Sequence, residues 1–332
     1  MKRLVFFIFL LIVSCFFIFS NLSNNKARVA LEINRFEHEL FSVNKHNIAA
    51  KTDKWQEIFG SFNEVFSTQI MRLPYQDTLL YYNELLAFTQ NQDMREAYDS
   101  ISFLFSDFSD VHMELELAFG RISNVFPSYP IPKITTFFGG FNFGVITYDH
   151  NIGIGLENFL GQNSKFYKYL GDPKYLRFQK QKKFICPNVI EVWFDEYFYK
   201  YLGGRDFLSQ MIYKGKMMYF LDNMLPELPI EDKFRFTKRH MAWVQENEFN
   251  IWEYLINEDL LFSSKESEFR SFIHHAPFVK GMPNESPGRL AYFIGFKIVS
   301  SYMKNNQVDI EELLSLMDSK DFLRLSKYKP TK

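Results

Sequence analysis

Cysteine is close to absent: 332 residues hold two, Cys15 and Cys186. If Cys15 carries a modification, Cys186 has no partner and no intramolecular disulfide forms. Cys186 has no histidine near it in sequence and is expected to be a small buried hydrophobe rather than a nucleophile. Histidine is scarce too, with seven in the chain. Excess charge of either sign is missing: 38 Lys+Arg stand against 39 Asp+Glu, for a net charge of -1. A nucleic-acid partner needs a basic surface, so this balance argues against one. No internal repeat and no Gly/Ser- or Pro-rich linker divides the sequence. What is plentiful is aromatic: 18% of residues, with 39 Phe. That much apolar material fills a core and rules against global disorder.

The chain opens with "MKRLVFFIFLLIVSC". Lys2 and Arg3 form a positive n-region and Leu4 to Val13 an apolar h-region, the layout of a signal peptide over residues 1–14. Ile12-Val13-Ser14-Cys15 resembles a bacterial lipobox, in which the cysteine is lipidated, with palmitate among its acyl chains, and becomes the mature N-terminus. The competing reading is an uncleaved anchor, because the apolar run continues to Phe19. That run falls short of the roughly 20 residues a spanning helix needs. Either way the domain is exported and tethered to a membrane. Residues 15–26 read as the tether, and residues 27–330 as one domain.

Within that domain the periodicity changes twice. Residues 27–126 are helical in style. Trp55, Ile58, Phe59, Phe62, Val65, Phe66 and Ile70 recur at intervals of three and four, for example. "FPSYPIP" breaks the pattern. Residues 133–161 are β-branched, aromatic and punctuated by glycine, which predicts two or three short strands with tight turns. Residues 187–325 return to helices. The sequence therefore predicts an α+β fold, predominantly helical, with a small sheet that a helical layer must cover.

One helix carries a pattern with chemical meaning. "VWFDEYFYKYLGG" frames Asp195, Glu196 and Tyr199 in the spacing of H-E-x-x-H, the zinc-peptidase helix, with the glutamate kept and both histidines replaced. Cys186, Val189, Ile190, Trp193, Phe194, Tyr197 and Phe198 give the same helix an apolar stripe, with Pro187 in its first turn and Gly203-Gly204 as its stop. The next helix is expected over residues 205–224. A later one is expected to start with Ser286 as N-cap and Pro287 in its first turn, and Gly288, Ala291 and Gly295 give it a smooth strip for close packing.

The segments "LSQMIYKGKMMYFLDNMLPELP", "WVQENEFNIWEYLINEDLLFS", "FIHHAPFVKGMPNESPGRLAYFIGFKIVSSYMKNN" and "SKYKP" resemble the gliding-motility lipoprotein GldB family of Bacteroidota. The likeness spans about residues 28–330 and agrees with the lipobox. It implies a membrane-anchored lipoprotein of the cell envelope that supports gliding and type IX protein secretion, with other envelope proteins as partners. That family is in turn distantly similar to zinc peptidases, which implies a degenerate gluzincin-like core. By position, Asp195 and Tyr199 then stand where the two histidines stood, Glu196 where the catalytic glutamate stood, and Lys214 where a third ligand stood. A tyrosine is a poor substitute for imidazole, and a charged ammonium is no ligand. No metal and no cofactor are expected, and the protein reads as a pseudo-peptidase.

From this follows a geometric expectation. If Asp195 and Glu196 face inward, Lys214 supplies the positive charge that zinc supplied, and its ammonium lies within pairing reach of one of them. The plainer alternative makes Asp195, Glu196 and Lys200 the solvated face of an amphipathic helix. Arg289 is a candidate to line the same cleft. The alternative function is a metal-dependent peptidase or hydrolase with atypical ligands. His274 and His275 are the only adjacent histidines, and on a helix they point about 100° apart, so they are not expected to share a metal. A lipid-binding aromatic surface is a third reading, and the spacing of the Phe residues does not separate it from core packing. With Phe16 after Cys15, the domain is expected to face the periplasm.

Overall fold

The structure is a computed structural model that describes residues 28–331. The segment read as a signal peptide, Cys15 and the expected tether lie outside the described residues. The fold is α+β and mostly helical, with one mixed sheet of four strands. These are β1 (Ile33–Arg35), β2 (Ile134–Phe137), β3 (Val145–Tyr148) and β4 (Asn151–Gly155), in the order β1-β2-β4-β3. β1, β2 and β4 run parallel, and β3 pairs antiparallel with β4.

The three strands of residues 133–161 match the sequence expectation, but β1 lies inside the region read as purely helical. It is only three residues long and leads straight into the helix Phe36–Phe41, so it leaves no alternation to detect. β1 reaches β2 through helices, the crossover that a parallel pair requires. The β3–β4 connection is a two-residue hairpin. Asp149 and His150 both have positive φ (42° and 60°), as a type I′ turn demands.

Seven helices of the described residues reach twelve residues or more: α1 (Ile48–Phe59), α2 (Thr78–Gln90), α3 (Gln92–Leu104), α4 (Ser109–Val125), α5 (Ile185–Phe198), α6 (Phe207–Met224) and α7 (Leu290–Asn305). None is long and apolar enough to cross a membrane. One continuous hydrophobic core joins sheet and helices. At one end Phe36 sits among Trp55, Phe59, Phe62 and Phe66, with ring centroids 4.7–5.3 Å apart. At the other, the stripe of α5 buries Trp193, Phe194 and Phe198 against Phe220 of α6, and Trp193 stacks on Phe220 at 5.7 Å. Cys186 is buried in the same layer, and burial pushes its thiol pKa well up. It behaves as a packing residue.

α6 and α7 approach backbone to backbone. A Cβ on Gly215 would stand 2.2 Å from the carbonyl carbon of Gly295, and one on Gly295 would stand 2.1 Å from the carbonyl oxygen of Met211. The small strip of α7 is thus an internal contact, completed by the glycine of "YKGK". The start of α7 differs from expectation. Ser286 does not cap it. Its hydroxyl accepts instead from the Val279 N–H (3.0 Å), and the helix begins only at Leu290, after Arg289. Arg289 has φ 65°, a left-handed conformation that delays the first helical turn.

Candidate functional site

α5 lies against β3, which brings the H-E-x-x-H-like frame to the outer strand of the sheet. The frame splits there. Asp195 turns toward α6: its Oδ1 accepts from the Tyr213 hydroxyl (2.7 Å) and lies 3.5 Å from the Lys214 ammonium. Glu196 turns toward the sheet: its Oε2 accepts from the Thr147 hydroxyl (2.9 Å), and its Oε1 is 3.5 Å from His150 Nδ1 in the hairpin turn. Tyr199 falls just past the end of α5, in a short 3-10 turn, and is 62% exposed. Its ring meets that of Tyr213 edge-on at 6.0 Å.

The ion pair expected between Lys214 and one carboxylate of the frame is therefore present, and Asp195 is the partner. Solvation of this face is partial. The Asp195 side chain keeps 43% of its exposure, whereas that of Lys214 keeps 18%. Burial opposes the Lys214 ammonium, yet Tyr292, Asp195 and Glu191 outweigh it and hold its pKa above the usual lysine value. Burial and Asp195 together drive the Tyr213 hydroxyl far up, so it stays a donor. The neighbours of Lys214 thus favour its charged form.

Arg289 is not beside Asp195. It is buried one turn deeper, with its Nη2 3.2 Å from Oε1 of Glu191. Arg235 reaches the same oxygen at 3.2 Å from the other side. Arg235 is also anchored by the Asn188 side chain (2.8 and 3.2 Å) and by the carbonyls of Asp232 and Lys233. Burial alone would raise the Glu191 pKa. The two guanidiniums, helped by Lys214, outweigh it and hold the carboxyl below its usual range. The guanidinium of Arg289 also lies over the Tyr292 ring at 3.8 Å, and its Nη1 is 3.4 Å from His275 Nε2. Both arginines have positive φ, 60° at Arg235 and 65° at Arg289. Such backbone costs about 1 kcal/mol or more and persists only where the surroundings hold it.

Sequence reasoning missed Glu191, Arg235 and His275. The signal for Glu191 was present: it precedes Asp195 by four residues and so shares its helix face. Arg235 is flanked by two buried phenylalanines, and nothing local shows which acid it meets.

The result is a line of charge along one side of α5. Asp195 and Lys214 stand at the rim, and Glu191 with two arginines lies below. It fixes three cations against two carboxylates in a partly dry setting. That suits holding an anionic or polar group better than moving protons. Among the described residues, no three His, Cys, Asp or Glu side chains gather closely enough to hold a metal ion. His274 pairs with Glu266 (3.6 Å) on the surface, while His275 turns inward.

No curated protein and no solved structure matches this chain. Residues 20–330 do match a described family, and with nearly the whole chain covered, the protein belongs to the family of the gliding motility protein GldB.

Proposed function

We propose that this protein is a non-catalytic lipoprotein of the cell envelope, with a degenerate peptidase-like core. It is tethered to a membrane by lipid on Cys15, faces the periplasm, and supports gliding and type IX protein secretion by gripping partner proteins. The observation that carries the reading is the pair at the frame. Lys214 stands 3.5 Å from Asp195, and the resemblance to zinc peptidases implies a metal ligand at its position. An ammonium there supplies the charge that a metal supplied, but it polarises no water into a nucleophile.

The surroundings suit a grip on extended chain. β3 is an outer strand of the sheet, and Thr147 and His150 hold Glu196 beside it. An incoming segment adds to such a strand through backbone hydrogen bonds and lays its side chains against α5. Activity with atypical metal ligands is the alternative reading, and metal analysis separates the two.

The test is a crosslinked pull-down from cells, comparing the native lipoprotein with a Lys214→Glu/Asp195→Ala variant. Loss of specific envelope partners in the variant is expected. An unchanged partner set would remove the frame from the binding site. Zinc in purified protein should fall below about 0.1 equivalent, and added zinc should not raise peptide hydrolysis. Stoichiometric zinc with hydrolysis would overturn the non-catalytic reading.

A further inference from the structure

Residues 165–183, "KFYKYLGDPKYLRFQKQKK", hold six lysines and one arginine against a single acid, Asp172, in a chain whose net charge is -1. Four of these cations are paired. Lys180 meets Asp172 at 2.7 Å, Lys182 meets Asp110 at 2.8 Å, Lys183 meets Asp232 at 2.6 Å, and Lys165 meets Glu96. Lys168, Lys174 and Arg177 have no carboxylate partner among the described residues, and both lysines are open to solvent. Even with every neighbouring acid counted, positive charge is left over here.

Between Lys168 and Lys174 the chain makes a tip. The short helix Lys165–Tyr169 stops at Gly171, whose φ of 76° closes a Schellman turn. The Gly171 N–H donates to the Lys168 carbonyl (3.1 Å) and the Asp172 N–H to the Tyr167 carbonyl (2.9 Å). The inner side of the tip is fixed. Tyr167 is buried, and its hydroxyl donates to the Glu157 carbonyl (2.7 Å) and accepts from the Leu160 N–H (2.9 Å). The outer side carries Tyr169 at 80% exposure and Leu170 at 54%, and neither belongs to the hydrophobic core. An exposed ring and an aliphatic side chain on a fixed turn, framed by unpaired lysines, match the layers of a membrane surface. The ring suits the headgroup level, the aliphatic chain the acyl boundary, and each lysine lays its stem on apolar matter while its ammonium meets phosphate.

The point where the chain enters the domain favours the same occupant. Arg28 pairs with Glu116 of α4, and Lys182 pairs with Asp110 of that helix. Six residues of helix separate the two acids, about 9 Å along the axis. The chain thus arrives from the expected tether on the helix that the basic segment borders. Residues 15–26 span at most about 40 Å, which keeps this side of the domain within reach of the bilayer. We propose that the tip at Tyr169-Leu170, with Lys168 and Lys174, docks the domain on an anionic phospholipid bilayer. This rests on the membrane tether proposed above and adds a second contact that fixes which face of the domain turns to the lipid.

The test uses purified full-length protein carrying Tyr169→Trp, reconstituted into vesicles of phosphatidylcholine alone or with about 30% phosphatidylglycerol. Lipid brominated on its acyl chains is the quencher, and the native protein with its four tryptophans gives the background. The added tryptophan should be quenched in the anionic vesicles and much less in the neutral ones. Lys168→Gln/Lys174→Gln, at two exposed positions without partners, should lower the docked-to-undocked ratio about tenfold or more, because each basic residue near an anionic surface contributes about fivefold. No quenching above background in anionic vesicles overturns the proposal and leaves this surface to an acidic protein partner. Quenching that is equal in neutral vesicles, or unchanged in the lysine variant, overturns it too. Flotation of the native protein with neutral vesicles reads the tether by itself. Protein that floats without quenching at position 169 keeps the tether and loses the docking face. Protein that does not float with neutral vesicles, yet is quenched with anionic ones, loses the tether and keeps the docking face.

Discussion

Glu191 and Asp195 sit one turn apart on the same face of α5, and their environments are opposite. Glu191 keeps 16% of its side-chain exposure and faces two guanidiniums that are almost fully buried. Asp195 keeps 43% and faces one ammonium across 3.5 Å. Attraction in a dry site is strong, but so is the cost of leaving either partner alone there. At the rim, water competes with the pair and screens it. The helix therefore carries a structural charge cluster below and an adjustable one above. A recognisable motif spacing marks the weaker of the two.

The sharpest way to break this comparison is to remove the deeper acid. Glu191→Ala leaves two buried guanidiniums facing each other without a counter-charge. Urea unfolding should show a loss of about 3–5 kcal/mol, and the variant is expected to fold poorly at growth temperature. A loss under about 1 kcal/mol would mean that water already solvates both arginines, and the contrast with Asp195 would vanish.

The two lysines of "YKGK" repeat the contrast on α6. Lys214 has carboxylates nearby and its pKa is raised. Lys216, two residues on, is 2% exposed and donates only to the Leu316 carbonyl, and burial pushes its pKa down to about 7. The unfolded chain then holds a proton between pH 7 and the ordinary 10.5 that the folded chain has released. Stability must rise with pH through that window as the penalty is relieved, and below pH 7 the penalty is constant. Lys216→Met should flatten this rise and add roughly 3 kcal/mol at pH 6. Unfolding curves across pH 6–10 check both points, and a rise that persists in the variant would locate the titration elsewhere. Gly215→Ala comes next in size. A methyl group there meets the backbone of Gly295, and forcing α6 and α7 apart should cost about 1–3 kcal/mol by thermal or urea unfolding.

How much of this was legible beforehand follows from what periodicity encodes. The stripe of α5, the breaks around residue 130 and the hairpin of β3 and β4 were visible because each repeats a local rule. The strand at Ile33–Arg35 was not, because three residues carry no period and its partner lies a hundred residues away. The pairing of Asp195 with Lys214 could be anticipated because the two sit on neighbouring helices. The role of Arg289 was only half visible. It was a candidate to line a cleft with Asp195, but the acid it meets is Glu191, hidden in a helix read for its stripe and its five-residue frame. Arg235 and His275 arrive from loops, where nothing in the sequence fixes what a side chain will meet.

The smallest effect is expected at the pair that first drew attention. Asp195→Ala, Lys214→Ala and the double variant form a cycle that isolates their interaction from the packing each side chain makes. The Asp195 carboxylate is open to water over nearly half its surface and also accepts from Tyr213, so it stays satisfied when Lys214 is gone. Lys214 keeps the field of Glu191 and the Tyr292 ring when Asp195 is gone. Each partner thus has a second source of stabilisation, and the coupling should be about 0.5–1 kcal/mol, falling further in high salt. A coupling above about 2 kcal/mol would put this pair in the class of the buried Glu191 cluster. Asp195 would then be part of the scaffold rather than a side chain free to exchange Lys214 for a partner's charge.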